Sequence, residues 1–285
     1  FNSISQIIIN RMSNTPTKAY DNKDFLNGQN ARSIRVLCEL VEPEVRLSNH
    51  GVENTIVFFG SARPKPSGIA KAEYEDFSSQ LNTVKNRTDE QIAEMKKLEA
   101  IVRLSQYYDH AVELSKKLTK WSKSNPPDQK YLICSGGGPG MMEAANRGAK
   151  EADGRSIALG ISLPFEQGVN SFADPALSFE FHYFFLRKFY FLYHAKAIVV
   201  FPGGFGTMDE LFETLTLAQT NKLHKKMPVF LYGKEFWEGL IQFDHFLEWG
   251  VISPGDLDLF QIVNNVDDAF TQITSALSSK QNDAK

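Results

Sequence analysis

Short, nearly all-apolar runs alternate along this chain with longer stretches whose apolar positions recur every three or four residues. The short runs are Asn54–Gly60 (NTIVFFG), Tyr131–Cys134, Ser156–Ile161, Ser178–Phe181, Ala197–Phe201, Val229–Tyr232 and Phe260–Val263. Between them the spacing predicts helices over Asp89 to Trp121, Met141 to Glu151, Phe184 to His194, from after Thr207 to about Asn221, Glu235 to Trp249 and Val266 to Leu277. A loop is expected around Pro164–Asp174. Apolar strands separated by helices pair side by side in a parallel sheet that needs cover on both faces. The expected fold is α/β, a doubly wound Rossmann-like parallel sheet with helices on both faces and extra N-terminal helices.

The start of the chain departs from this alternation. Residues 1–30 are polar, with Asn, Thr, Pro and Gly scattered through them, and read as an irregular lead-in. From Ala31 to Leu47, Ile34, Leu37, Cys38, Val41 and Val45 recur at helical spacing, with Pro43 expected to kink or interrupt the helix. The chain therefore reads as an N-terminal extension over residues 1–50 and one Rossmann-like domain over 51–285. A charged helical insertion is expected near 85–125.

Composition narrows the partners. The 285 residues are 42% hydrophobic, enough for one large core. With 31 Lys+Arg against 34 Asp+Glu, the net charge of −3 gives no electrostatic reason to expect nucleic acid or an anionic membrane. Any phosphate is held by a local site. Cys38 and Cys134 fit neither a disulfide framework nor a metal-ligand spacing, which points to a reducing, cytoplasmic setting. No Asp/Glu/His cluster has metal-site spacing, so no metal is expected. No apolar run reaches membrane-spanning length, and the triplet Ile7–Ile9 is too short for the apolar region of a signal peptide.

Candidate chemistry lies in two glycine loops, each at a strand-to-helix junction, where ligands bind in folds of this class. One is Gly136–Gly140, after the strand ending in Cys134; the other is Gly203–Thr207, after Phe201. Glycine lets backbone N–H groups approach a phosphate, and the following helix offers free N–H groups and a partial positive end. Neither loop matches G-x-G-x-x-G: Gly136 and Gly138 are followed by Met141, Gly204 and Gly206 by Asp209. Neither is followed by the Gly-Lys-Ser/Thr of a Walker loop, so NAD binding and ATP hydrolysis are disfavoured. Glu210 lies three residues after Thr207, on the first helical turn and the loop's side. Arg187 and Lys188 lie early on the preceding helix. Without the loops, the pair would read as a solvated face and the glutamate as a favourable partner of the helix dipole.

FFGSARP (Phe58–Pro64), SGGGPGMMEAANRGA (Ser135–Ala149), FFLRK (Phe184–Lys188) and PGGFGTMDE (Pro202–Glu210) together resemble the LOG ("Lonely Guy") family. These are cytokinin-activating phosphoribohydrolases, often mislabelled lysine decarboxylases. The resemblance runs from about Asn54 to Trp249 and is closest to the longer bacterial subgroup. It implies hydrolysis of the N-glycosidic bond of nucleoside 5′-monophosphates, AMP or N6-prenylated AMP, without a cofactor. Arg187 and Glu210 would be the catalytic pair, and Gly203, Gly204, Gly206 and Thr207 would take the 5′-phosphate. Gly136, Gly137 and Gly138 would line the nucleotide, Gly60 and Ser61 would flank the pocket with Arg63 beside them, and Lys188 would support. A homodimer or higher homo-oligomer is also implied, part of the aromatic run from Phe181 to Tyr193 serving as core or subunit interface.

Two rivals remain. A nucleotide- or molybdenum-cofactor-binding carrier of the same fold would share the glycine loops without needing Arg187 and Glu210 together. A PLP-dependent decarboxylase would need a Schiff-base lysine, and the only lysine in the motifs is Lys188.

Overall fold

The structure, a computed structural model, describes residues 16–82, 84, 86–163, 168–223 and 227–283. The Ile7–Ile9 triplet and the first part of the loop expected at Pro164–Asp174 lie outside them. The chain forms two compact units, Phe1–Val45 and Arg46–Lys285.

In the first unit, a short helix α1 (Lys23–Asn27) starts where Asn22 Oδ1 accepts the Phe25 N–H at 3.1 Å, an N-cap bond. Helix α2 (Arg32–Asn49) begins here and continues past the unit's end. Arg35 Nη1 donates to the carbonyls of Leu26 (2.6 Å) and Gly28 (2.7 Å), fastening α2 to the turn before it. Pro43 does not interrupt α2: the helix runs through it, and Pro43 is buried.

The second unit is a seven-stranded sheet, parallel at every pairing, in the order β4-β3-β2-β1-β5-β6-β7. Its strands are β1 (Thr55–Phe59), β2 (Leu132–Ser135), β3 (Ser156–Ile161), β4 (Ser178–Phe181), β5 (Ala195–Val200), β6 (Val229–Tyr232) and β7 (Phe260–Val263). The helices between are α3 (Ser67–Leu81), α4 (Asp89–Ser124), α5 (Met141–Glu151), α6 (Phe184–Tyr193) and α7 (Phe205–Gln219). Helices α8 (Lys234–Leu240), α9 (Phe243–Glu248) and α10 (Val266–Asp283) complete the unit. The doubly wound α/β fold expected from the alternation is the fold observed. Strand order reverses between β1 and β5, which opens a crevice beyond their carboxyl ends.

Alternation along the strands divides the core between the two faces of the sheet. Ile56, Phe58, Ile133, Ala197, Val199 and Phe230 pack with α4, α5 and α10. Phe59 turns the other way and meets Phe191 of α6 edge-on at 4.9 Å.

Three elements differ from the sequence reading. The charged stretch read as an insertion is the crossover helix α4, opened by a Thr88/Gln91 capping box. Its second half carries Tyr108, Ala111, Leu114 and Leu118 into the core, so charge marks only its outer side. Helix α3 is not announced by periodicity because only Ala70 and Leu81 of its fifteen residues are buried. The helix expected over Glu235–Trp249 breaks at Ile241–Gln242. The break gives each half its own anchor: Trp237 is buried with its indole N–H on Tyr232 O (3.0 Å), and Phe243 packs on Phe260 at 4.5 Å.

Candidate active site

Both glycine loops open into one cavity of about 660 Å³ at the β1/β5 crevice. The loop after β1 ties them together: Ser61 N–H donates to Pro202 O (3.0 Å), and Ser61 O accepts the Met141 N–H (3.0 Å). The close approach dictates the residue types. A side chain at Gly60 would run into Met141 and Phe201, and one at Gly140, whose φ is +70°, into the backbone of Ser61 and Ala62.

In the loop after β2, Ser135 Oγ donates to Asn146 Oδ1 (2.8 Å) and accepts the Gly137 N–H (3.1 Å). Asn170 donates its backbone N–H (2.7 Å) and its side-chain amide (3.0 Å) to Gly137 O. The same amide reaches Asn146 Oδ1 at 2.9 Å, and Asn146 is fully buried. A buried network satisfied at this many points holds its loop in one shape. Asn146 lies within the Ser135–Ala149 motif without a role assigned to it, and Asn170 lies outside the motifs. For Asn146 the available signal is a polar residue on the Ala145/Ala149 side, the buried side of an amphipathic helix.

The loop after β5 is built differently. Helix α7 starts at Phe205 with Gly204 as N-cap, and its first intrahelical donor is the Met208 N–H on Gly204 O (3.0 Å). The N–H groups of Phe205, Gly206 and Thr207 precede that bond, and helix starts leave such groups free to bind an anion. A Cβ at Gly204 or Gly206 would meet nothing within 4 Å. Thr207 is buried beside Gly203, where any side chain would collide with it.

Arg187 and Glu210 meet at the cavity wall, with Arg187 Nη1 3.9 Å from Glu210 Oε1 and the side chains only 10% and 16% exposed. Arg187 is oriented from two sides. Its Nε donates to Leu159 O at the end of β3 (2.7 Å), and its guanidinium lies over the Phe191 ring at 4.9 Å. A side chain at Gly136 would displace that guanidinium. Burial is the largest influence on Glu210 and lifts its carboxyl from 4.5 to about 7 against the pull of Arg187. The pair thus joins a fixed cation to a carboxylate that exchanges its proton near neutrality.

Of the sequence candidates, Gly60, Ser61, Arg63, Gly136, Gly138, Arg187, Gly203, Gly204, Gly206, Thr207 and Glu210 all line the cavity. Gly137 does not; its φ of +74° turns its peptide toward Asn170, and its Cβ position faces Val169 and Ala158. Lys188 does not line it either. It ion-pairs with Asp209 (3.0 Å) and Glu213 (2.8 Å). Burial opposes its charge, but the two carboxylates outweigh that and hold the ammonium above the usual lysine range. Along α6, adjacent residues diverge by about 100°, so Arg187 and Lys188 face different surroundings. Among the described residues lining the cavity none is a lysine. The motifs also leave unmarked an apolar part of the lining, Leu104, Ile161, Phe236 and Leu240, because those residues come from three separate elements.

The aromatic run divides: Phe181, Tyr183, Tyr190 and Phe191 are buried, whereas Phe184, Phe185, Phe189 and Tyr193 stay exposed. Among the described residues no group of three or more His, Cys, Asp or Glu could hold a metal, and no helix is long and apolar enough to cross a membrane.

Comparison with known proteins gives one family and a set of relatives. Residues 142–273 match the family described as "Possible lysine decarboxylase". A "Probable cytokinin riboside 5'-monophosphate phosphoribohydrolase LOG4" of Oryza sativa subsp. japonica is 28% identical over 150 residues, 51% of this chain and 63% of that protein. The "Cytokinin riboside 5'-monophosphate phosphoribohydrolase LOG3" of Arabidopsis thaliana is 29% identical over 155 residues, 53% of this chain and 66% of that one. The chain thus spans just under two thirds of the length of these relatives. Among solved structures, a "Moco Carrier Protein from Chlamydomonas reinhardtii" is 18% identical, covering 80% of this chain and 99% of that one, with a TM-score of 0.45. A likeness at that level carries no information about activity.

Proposed function

From the premise that this chain is a relative of the LOG family, we propose that it hydrolyses nucleoside 5′-monophosphates, AMP or N6-prenylated AMP, to free base and ribose 5-phosphate. The observation that carries the reading is the buried Arg187–Glu210 pair on the wall of a cavity that both glycine loops enter.

The 5′-phosphate sits at the start of α7 on the N–H groups around Gly203–Thr207, with Thr207 Oγ1 as a further donor. This remote contact fixes the ribose for reaction. As the C1′–N bond lengthens, positive charge builds on the ribose and negative charge on the base. Glu210 stabilises the first and accepts a proton from the attacking water. Arg187, always protonated, stabilises the second by charge and hydrogen bonding. The water oxygen bonds to C1′, the bonding pair leaves with the base, and Glu210 passes the proton it took from water to the base anion, which restores the carboxylate.

Two further statements belong to this reading. The exposed Phe185, Phe189 and Tyr193 of α6 and Leu217 of α7 border one apolar groove, which supplies the face of a homodimer. Cys38 and Cys134 are both unpaired, in keeping with work in the reducing cytoplasm.

The test is incubation of the purified chain with AMP, other nucleoside monophosphates and isopentenyladenosine monophosphate, with products separated by chromatography. Free base with an equal amount of ribose 5-phosphate is expected, lost in Glu210→Gln and Arg187→Gln. Intact nucleotides throughout, with tight binding retained, would replace the enzyme by a carrier.

A further inference from the structure

Helix α2 presents its apolar stripe outward. Ile34, Leu37, Val41 and Val45 are 39%, 57%, 55% and 52% exposed and Cys38 is exposed, whereas Ala31, Pro43 and Leu47 are buried. An amphipathic helix normally turns its stripe to a core, so a stripe left outside marks a surface awaiting a partner.

The spacing says which partner. Ile34, Cys38, Val41 and Val45 follow one another at intervals of four, three and four, the seam of a two-helix coiled coil. The seam is symmetric about the midpoint between Glu39 and Leu40. Turned end for end, a second copy lays Ile34 against Val45 and Cys38 against Val41, and the same contacts repeat on the other side, as a two-fold interface requires.

Charge selects the same direction. Arg35 and Glu42 flank the seam on one side, one near each end. Antiparallel pairing brings Arg35 of one copy beside Glu42 of the other, twice by symmetry, whereas parallel pairing keeps them on opposite sides of the seam. The bonds from Arg35 Nη1 to Leu26 O and Gly28 O hold its guanidinium at that edge.

We propose that α2 associates with α2 of a second copy in an antiparallel pair centred between Glu39 and Leu40. The pairing does not depend on the reaction proposed for the cavity.

Sedimentation of the full chain tests it. Val41→Glu places a charge in the seam at a position whose exposure lets the single chain fold unchanged. The assembly mass is expected to fall by half, with the dissociation constant raised at least about 30-fold, the size of a central interface residue. Val41→Cys reads the register: oxidation is expected to give a covalent dimer linked between Cys38 and position 41 of the other copy. A wild-type chain that stays monomeric at its highest soluble concentration would overturn the proposal. So would a mass unchanged by Val41→Glu, or a Cys38–Cys38 link, which marks parallel pairing. Association that appears only after residues 1–15 are removed would also overturn it, assigning the seam to the chain's own N-terminal segment.

Discussion

The two glycine loops use the same residue for opposite purposes. In the loop after β2, glycine is needed because there is no room: a side chain would strike Arg187 and Met142 at position 136, Val169 and Ala158 at 137, and the Ser61–Ala62 backbone at 140. In the loop after β5, Gly204 and Gly206 border open space, and a bare backbone there leaves N–H groups reachable from the cavity. Polar bonds follow the same division. The first loop's carbonyls and Ser135 hydroxyl are tied to Asn146 and Asn170, whereas the second loop opens a helix whose first intrahelical donor is the Met208 N–H. One loop is a wall against Arg187; the other, in the proposed reaction, receives the 5′-phosphate.

Four outcomes would test that division, and the largest concerns the residues between the loops. Glu210→Gln should lower kcat by about 10³-fold and Arg187→Gln by about 10²–10³-fold with AMP or its N6-prenylated form, measured as base release. Wild-type rate for either would remove the pair from the chemistry.

Gly137→Ala comes next. Forced into a φ of +74° against Val169 and Ala158, it should cost about 2–3 kcal/mol in denaturant titration. Gly204→Ala should stay within about 0.5 kcal/mol of the parent while raising KM about tenfold for the 5′-monophosphate. Equal destabilisation by both would mean that the two loops do the same work.

The pH dependence follows from Glu210, whose carboxyl is raised by burial from 4.5 to about 7. Its contribution to stability is complete below about pH 4.5 and disappears as pH rises through 7, because the ionised form is favoured by the unfolded chain. Glu210→Gln should therefore melt with the parent at pH 4.5 and above it at pH 8, by on the order of 2–3 kcal/mol. In the parent, kcat should rise with pH through about 7 as the carboxylate forms, so stability and activity move in opposite directions. A rate flat from pH 5 to 8 would contradict this.

The smallest effect belongs to Lys188. Paired with Asp209 and Glu213 outside the cavity, it should change kcat less than about threefold as Lys188→Gln. A larger fall would return it to the site.

The elements most legible from the chain were those whose physics is local. Apolar runs gave β1, β2, β3 and β6 within a residue or two, because a strand buried on both faces must be nearly apolar throughout, whereas β4 and β7, at the two edges of the sheet, expose Glu180 and Gln261. The loop motifs brought eleven of the candidate positions to one cavity, because chain order in a doubly wound sheet puts every strand-to-helix turn at the same edge. Helix α3 escaped notice since few of its side chains are buried, and the break at Ile241–Gln242 depends on Phe243 meeting Phe260, contacts no local pattern encodes.

The alternation and the glycine motifs thus determined the fold class and the sheet edge where the loops meet, while the resemblance to the LOG family singled out Arg187 and Glu210. Tertiary structure alone decided that Lys188 turns away, that Gly137 is a packing residue, that Asn146 and Asn170 lock the loop, and that the stripe of α2 faces out. The reason is physical. Periodicity records which side of an element is apolar, but whether that side finds a neighbour, and how far a carboxylate is desolvated, depends on residues distant in the chain.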